Sequence, residues 1–228
     1  MASQASAAIR AGLTALRNPM RADAVAALGE LTGRAALVRI RAEMGRSATG
    51  RDLLARQPDI TPLLESRDVQ ELPANTLGGD YVAYMREHGF HAHERPAPLP
   101  ADASGLEPDL AWIALRYRQV HDIWHALAGL PPTVPGELAL KWLEWVHTGL
   151  PSAGLAGVVA SVRLTCAERA ALRTQLIPWA VRTGRGCVPL MAVRYEDLLQ
   201  QPTEQVRASL RFPAAPKQAL RWAELGIA

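Results

Sequence analysis

Cysteine is scarce in this 228-residue chain: Cys166 and Cys187 stand alone and form no CxxC unit. That excludes a disulfide framework and a thiolate zinc cluster, and a reduced intracellular compartment is the default expectation. Lysine is rarer still for its class. Only Lys141 and Lys217 occur, and arginine supplies the rest of the 25 basic residues against 22 acidic ones. A net charge of +3 is too mild to imply a nucleic-acid partner, so none is expected. With abundant Ala, Leu and Pro, the arginine bias reads as the coding preference of a GC-rich genome.

Long apolar runs are also missing. Nothing approaches the roughly 20 residues needed to span a bilayer; the longest candidate, Leu150 to Val162, is short and interrupted by Pro151, Ser152 and Gly154. The N-terminus has no continuous apolar core of the kind a secretory signal needs. It is acid-free up to Asp23 and carries Arg10, Arg17 and Arg21, which superficially suits a transit peptide. An amphipathic first helix is preferred, because Ile9, Leu13, Leu16 and Met20 fall at helical spacing and run on into further helical pattern.

What is present is helical periodicity. The length suits one domain, and the expectation is an all-α, single-domain helical bundle over residues 1–228. Helices are expected after Pro19 up to Met44 and over 51–57, 80–89, 108–128, 136–147, 154–166, 167–182, 203–211 and 216–225. Residues 60–79 read as a loop-rich connector. His91 to Gly105, the most Pro-rich stretch, reads as a surface loop before the helix of interest. CVPLMAVRY (187–195) is the best strand candidate, and Pro189 weakens it.

The chemistry concentrates in VHDIWHALAGLPPTVPGELALKWLEW. His121 and His125, four apart, lie about 40° apart on one helix face and can grip one ion together. Asp122, about 100° around the helix, can reach the edge of the same site. Gly129 and Pro131-Pro132 stop that helix, Pro135-Gly136 starts the next, and a short link makes antiparallel neighbours. Glu137 then returns beside the histidines. Two imidazoles with one or two carboxylates suit zinc, iron or manganese and leave positions open for water or substrate. His88 reads as a helix C-terminal dipole partner, His91 and His93 as solvated loop residues, and Trp142 and Trp145 as core.

The spacing HDxxH, eleven residues, Glu resembles the signature of the ubiquinone (coenzyme Q) biosynthesis Coq-four family, and His121, Asp122, His125 and Glu137 match it without a gap. NPMRADAVAALGELTG, GRDLLARQPDI, LPANTLGGDYVAYMREHGF and RYEDLLQQPTEQVRASL resemble family segments in family order, so the likeness covers most of the chain. The resemblance implies an all-helical protein with those four residues as ligands of a divalent metal ion. It implies oxidative decarboxylation at ring carbon C1 of a polyprenylated 4-hydroxybenzoate-type intermediate, hence a lyase-like enzyme. It further implies other quinone-biosynthesis enzymes as partners, a membrane surface, and a homodimer. The corresponding location is the bacterial cytoplasm at the inner membrane, or the matrix face of the mitochondrial inner membrane in a eukaryote. Leu150 to Leu164 could line a groove for the prenyl tail. Three rivals stand beside this reading. A prenyl-lipid-binding scaffold would use the metal only structurally. A zincin-like hydrolase would use Asp122 as base, though aspartate is one methylene short for that role. An HD-type phosphohydrolase would need a further His and Asp, which His91, His93 and the distant Asp197 supply poorly.

Overall fold

Every regular element among the described residues is a helix, as the periodicity predicts. The computed structural model describes residues 33–94, 105–154 and 164–217. The expected N-terminal amphipathic helix, most of the Pro-rich segment, the core of the lipid-groove candidate (155–163) and the last helix beyond 217 lie outside the described residues. In chain order the helices are α1 (Arg34–Met44), α2 (Ala48–Arg56), α3 (Thr61–Leu64), α4 (Arg67–Gln70), α5 (Leu77–His88), α6 (Pro108–Ala128), α7 (Val134–Thr148), α8 (Cys166–Ala171), α9 (Ile177–Gly186) and α10 (Thr203–Leu210). A π-helical turn, Leu172–Leu176, joins α8 to α9, so the expected helix from 167 is continuous to Gly186.

Three expectations are corrected. The connector 60–79 is not loop-rich: Pro62 sits in the first turn of α3, Ser66 caps α4 from its side chain, and Thr76 caps α5, whose first turn takes in Gly78 and Gly79. Pro and Gly near a cap start helices as readily as they break them. The strand candidate 187–195 instead holds 3₁₀ turns at Leu190–Ala192 and Tyr195–Asp197. Its alternation is too short to outweigh Pro189 and no neighbouring strand exists among the described residues to pair with it. Trp145 is 41% exposed rather than core, whereas Trp112, Trp124 and Trp179 are buried.

Helix α6, with 21 residues, carries both histidines of the motif. Val120, Ile123, Trp124 and Leu127 are fully buried, each burial worth about 1.5–3 kcal/mol for side chains of this size. That apolar face sets the rotation of α6 and therefore where its histidines point. Helices α5 and α1 pack directly on α6, while α7 packs chiefly on α9. Directional contacts lock the position: Trp124 Nε1 donates to Tyr195 Oη at 2.7 Å, and Trp112 Nε1 to the Pro58 carbonyl at 3.2 Å. The fully buried Arg116 guanidinium donates to both Glu196 carboxylate oxygens at 2.9 and 3.0 Å.

Candidate metal centre

Helix α6 ends in a Schellman turn. Gly129 adopts φ +67°, the left-handed region that glycine enters without strain, and Leu130 N–H donates back to the His125 carbonyl at 3.1 Å. The reversed chain brings the Leu130 carbonyl over the same residue's ring, where it accepts from His125 Nδ1 at 3.0 Å. The helix stop that the Gly-Pro pattern announces therefore also orients a histidine.

Residues 129–133 then carry the chain to α7, capped by the Thr133 side chain, with Pro135 and Glu137 both in its first turn. Gly136 passes so close to Pro131 that a Cβ there would lie 2.0 Å from the Pro131 carbonyl oxygen. Tyr117 and His121 meet Glu144 while His125 meets Glu137, so α6 and α7 run antiparallel, as the short link predicts.

His121, His125 and Glu137 converge. One ligand atom from each lies within 4.8 Å of the others. The Glu137 carboxylate places Oε1 3.2 Å from His125 Nε2 and Oε2 3.6 Å from His121 Nε2. Asp122, the fourth residue of the motif, is buried beside them on α6 and is not part of that three-residue convergence. Tyr84 of α5 stacks on the His125 ring, centroids 5.3 Å apart and planes within 15°.

Glu144, which sequence reasoning missed, faces the other side of His121: its Oε1 lies 2.6 Å from His121 Nδ1. Its Oε2 accepts from Tyr117 Oη at 2.5 Å and from Lys141 Nζ at 2.7 Å, and its side chain is fully buried. Glu137 and Glu144 are seven apart, two helical turns, so they project from one face of α7. That spacing was the available signal. Burial alone would raise the Glu144 carboxyl, but the Lys141 and His121 charges hold it down at about 2. Desolvation likewise opposes ionisation of Glu137, and the imidazoles of His125 and His121 outweigh it, keeping the carboxyl well below its ordinary range. Burial and Lys141 both disfavour a second proton on His121, yet Glu144 and Glu137 raise the ring to about 9.

These residues fit a cation. Each ring commits Nδ1 to an oxygen acceptor, the Leu130 carbonyl or the Glu144 carboxylate, so in the neutral form that binds a metal the lone pair is on Nε2. Both lone pairs face the oxygens of one carboxylate. His125 Nε2 is buried, 3.2 Å from Glu137 Oε1 but without hydrogen-bond geometry to it. Lone pair against lone pair is repulsive unless positive charge stands between them, as a proton on His121, whose pKa is raised, or as a metal ion, and two imidazoles with a carboxylate form the donor set of open zinc, iron and manganese sites.

The other polar candidates are engaged elsewhere. His93 Nδ1 pairs with Glu65 at 2.6 Å and its ring stacks on His91; His88 lies edge-on to Tyr84.

The chain is similar to known proteins along most of its length. A family model described as "Coenzyme Q (ubiquinone) biosynthesis protein Coq4" matches residues 1–216. The mitochondrial ubiquinone biosynthesis protein COQ4 of Eremothecium gossypii is 36% identical over 90% of this chain; the chain spans 63% of that relative's length. The mitochondrial COQ4 homolog of Rattus norvegicus is 35% identical, with 89% of this chain and 76% of the relative covered. A Nostoc punctiforme crystal structure ascribed to ubiquinone biosynthesis superposes with a TM-score of 0.68, covering 92% of this chain and 98% of that one; at 20% identity it shows the fold.

Proposed function

This chain belongs to the Coq4 family of coenzyme Q (ubiquinone) biosynthesis proteins, and from that premise we propose that it is a metal-dependent enzyme of quinone-ring modification. The reaction is oxidative decarboxylation at C1 of a polyprenylated 4-hydroxybenzoate-type lipid, with His121, His125 and Glu137 as the metal's ligands and Asp122 completing the set at the edge. The observation that carries this reading is the convergence of His121, His125 and Glu137, with the buried His125 Nε2 3.2 Å from a Glu137 carboxylate oxygen.

A bound divalent ion would supply Lewis acidity toward the substrate's carboxylate or phenolate oxygens. The protein's own part is positional. The Leu130 carbonyl and the Tyr84 ring hold His125, Glu144 holds His121, and Glu137 remains partly open to solvent, so an anionic ring has access from that side. Replacing a ring carboxylate by hydroxyl, with release of carbon dioxide, removes two electrons from the substrate. An acceptor outside the chain, in the simplest case dioxygen, must take them. Zinc alone cannot, which favours iron or manganese in a catalytic role.

Among the described residues no helix is long and apolar enough to cross a membrane. A polyprenylated substrate calls for contact with a membrane surface. The inner face of the bacterial inner membrane, or the matrix side in a mitochondrion, is the matching location, with other quinone-biosynthesis enzymes as partners. A homodimer and a single 1–228 domain belong to the same reading.

Elemental analysis of tag-free protein, together with quinone production by His125→Ala, tests it. The expected outcome is about one transition-metal ion per wild-type chain, and loss of both metal and quinone in a folded variant. A folded variant that lacks metal yet sustains quinone synthesis would leave the scaffold role, with the site merely structural.

A further inference from the structure

The His121 ring is clamped between two carboxylates of the same helix, and the clamp is unequal. Glu144 Oε1 lies 2.6 Å from Nδ1, while Glu137 Oε2 lies 3.6 Å from Nε2. A neutral imidazole has one proton to donate, and it belongs on the side with the short contact. Glu144 can only accept there: its second oxygen is already occupied by the Tyr117 hydroxyl and the Lys141 ammonium. Those two donors also fix the carboxylate in place, and the Thr148 hydroxyl bonds the Glu144 main-chain carbonyl at 2.7 Å. The Lys141 charge offsets that of Glu144, so the support is close to neutral and its effect on the site is orientation.

We propose that Glu144, braced by Tyr117 and Lys141, is the positioning residue that assigns the His121 proton to Nδ1 and presents Nε2 to the metal. The inference rests on reading the site as a metal centre. It goes further by distinguishing the two acids of α7, with Glu137 the ligand and Glu144 the support behind a ligand. His125 is held instead by a main-chain carbonyl and the stacked Tyr84 ring, so the two histidines are oriented by different means.

Titration with Co²⁺, followed through its visible absorption, separates the two claims. Wild-type protein should bind one ion. Glu144→Gln should bind about 10- to 100-fold more weakly, with an altered spectrum and unchanged helical circular dichroism. Tyr117→Phe, which leaves the His121 contact intact, should lose less than Glu144→Gln. Wild-type affinity and spectrum in folded Glu144→Gln would overturn the proposal while leaving the metal centre standing. Failure of the wild type to bind Co²⁺ takes both readings down. Should Glu144→Gln not fold, long-range ¹H–¹⁵N correlation on Zn²⁺-loaded wild type decides. The proton should be found on His121 Nδ1, shifted downfield by the short contact, and a proton on Nε2 with the ion on Nδ1 refutes the assignment.

Discussion

Cys187 Sγ lies 3.4 Å from His147 Nδ1, a distance suited to a nucleophilic thiol–imidazole pair. The surrounding residues deny it that chemistry. His147 donates from Nδ1 to the Gly184 carbonyl at 2.9 Å and accepts the Leu190 N–H on Nε2 at 3.0 Å, so neither nitrogen is free to take a proton from sulfur. Burial pushes the Cys187 thiol up to about 12 and lowers His147, the opposite of a thiolate–imidazolium pair. Cys166 is exposed. Native protein treated with iodoacetamide at pH 8 to 9 should therefore take one label, at Cys166, and two after denaturation; mass spectrometry of the peptides checks this, and rapid native labelling of Cys187 would contradict it. At this scale the sequence pointed to the side chains worth testing for chemistry. It could not show that His121 and His125 differ in what backs them, because Glu144 and Leu130 reach them through the turn between two helices.

The link from α6 to α7 is the element on which the site depends. Its signals were all legible: Gly129 for a left-handed cap, Pro131-Pro132 to prevent continuation, Thr133 and Pro135 to restart. What was hidden is how tightly it closes at Gly136. Alanine there would ordinarily favour a helix by up to about 1 kcal/mol over glycine, but its Cβ would meet the Pro131 carbonyl at 2.0 Å. Gly136→Ala is expected to be net destabilising by about 1–3 kcal/mol, the usual range for overpacking. It should also lower metal occupancy although every ligand is intact, since the adjacent Glu137 must move with the backbone. Urea denaturation and metal analysis of the variant test both parts; a stabilised variant with full occupancy would show that the link can yield. The misread connector at 60–79 has the same origin. Single-turn helices such as α3 and α4 are too short to display a period, and their caps are recognised only once the flanking chain is in place.

Across the whole molecule, the buried pair Arg116–Glu196 ties α6 to the segment that leads into α10. Arg116→Met leaves the Glu196 carboxylate, 17% exposed, without its partner. Breaking a buried pair typically costs about 3–5 kcal/mol, and the residual exposure argues for the lower end. A Tm drop of about 6–12 °C is expected for a chain of this size. Arg116→Met/Glu196→Leu should recover much of the loss, because an apolar replacement leaves no unpaired charge; scanning calorimetry of both variants is the check, and equal destabilisation would point to lost shape rather than lost charge. The sequence by itself determined the all-α class, the extents of α6 and α7, the family, and the four residues worth testing, since helical period, helix punctuation and motif spacing are local properties of the chain. The sequence anticipated that Glu137 returns beside His121 and His125, and the tertiary structure alone decided how closely the three converge, that Asp122 stands beside that convergence, and that Glu144 stands behind His121. Those facts depend on the rotation of α6 and α7 about their axes. Trp124, Tyr195, Arg116 and the rest of the core set that rotation from positions far along the chain.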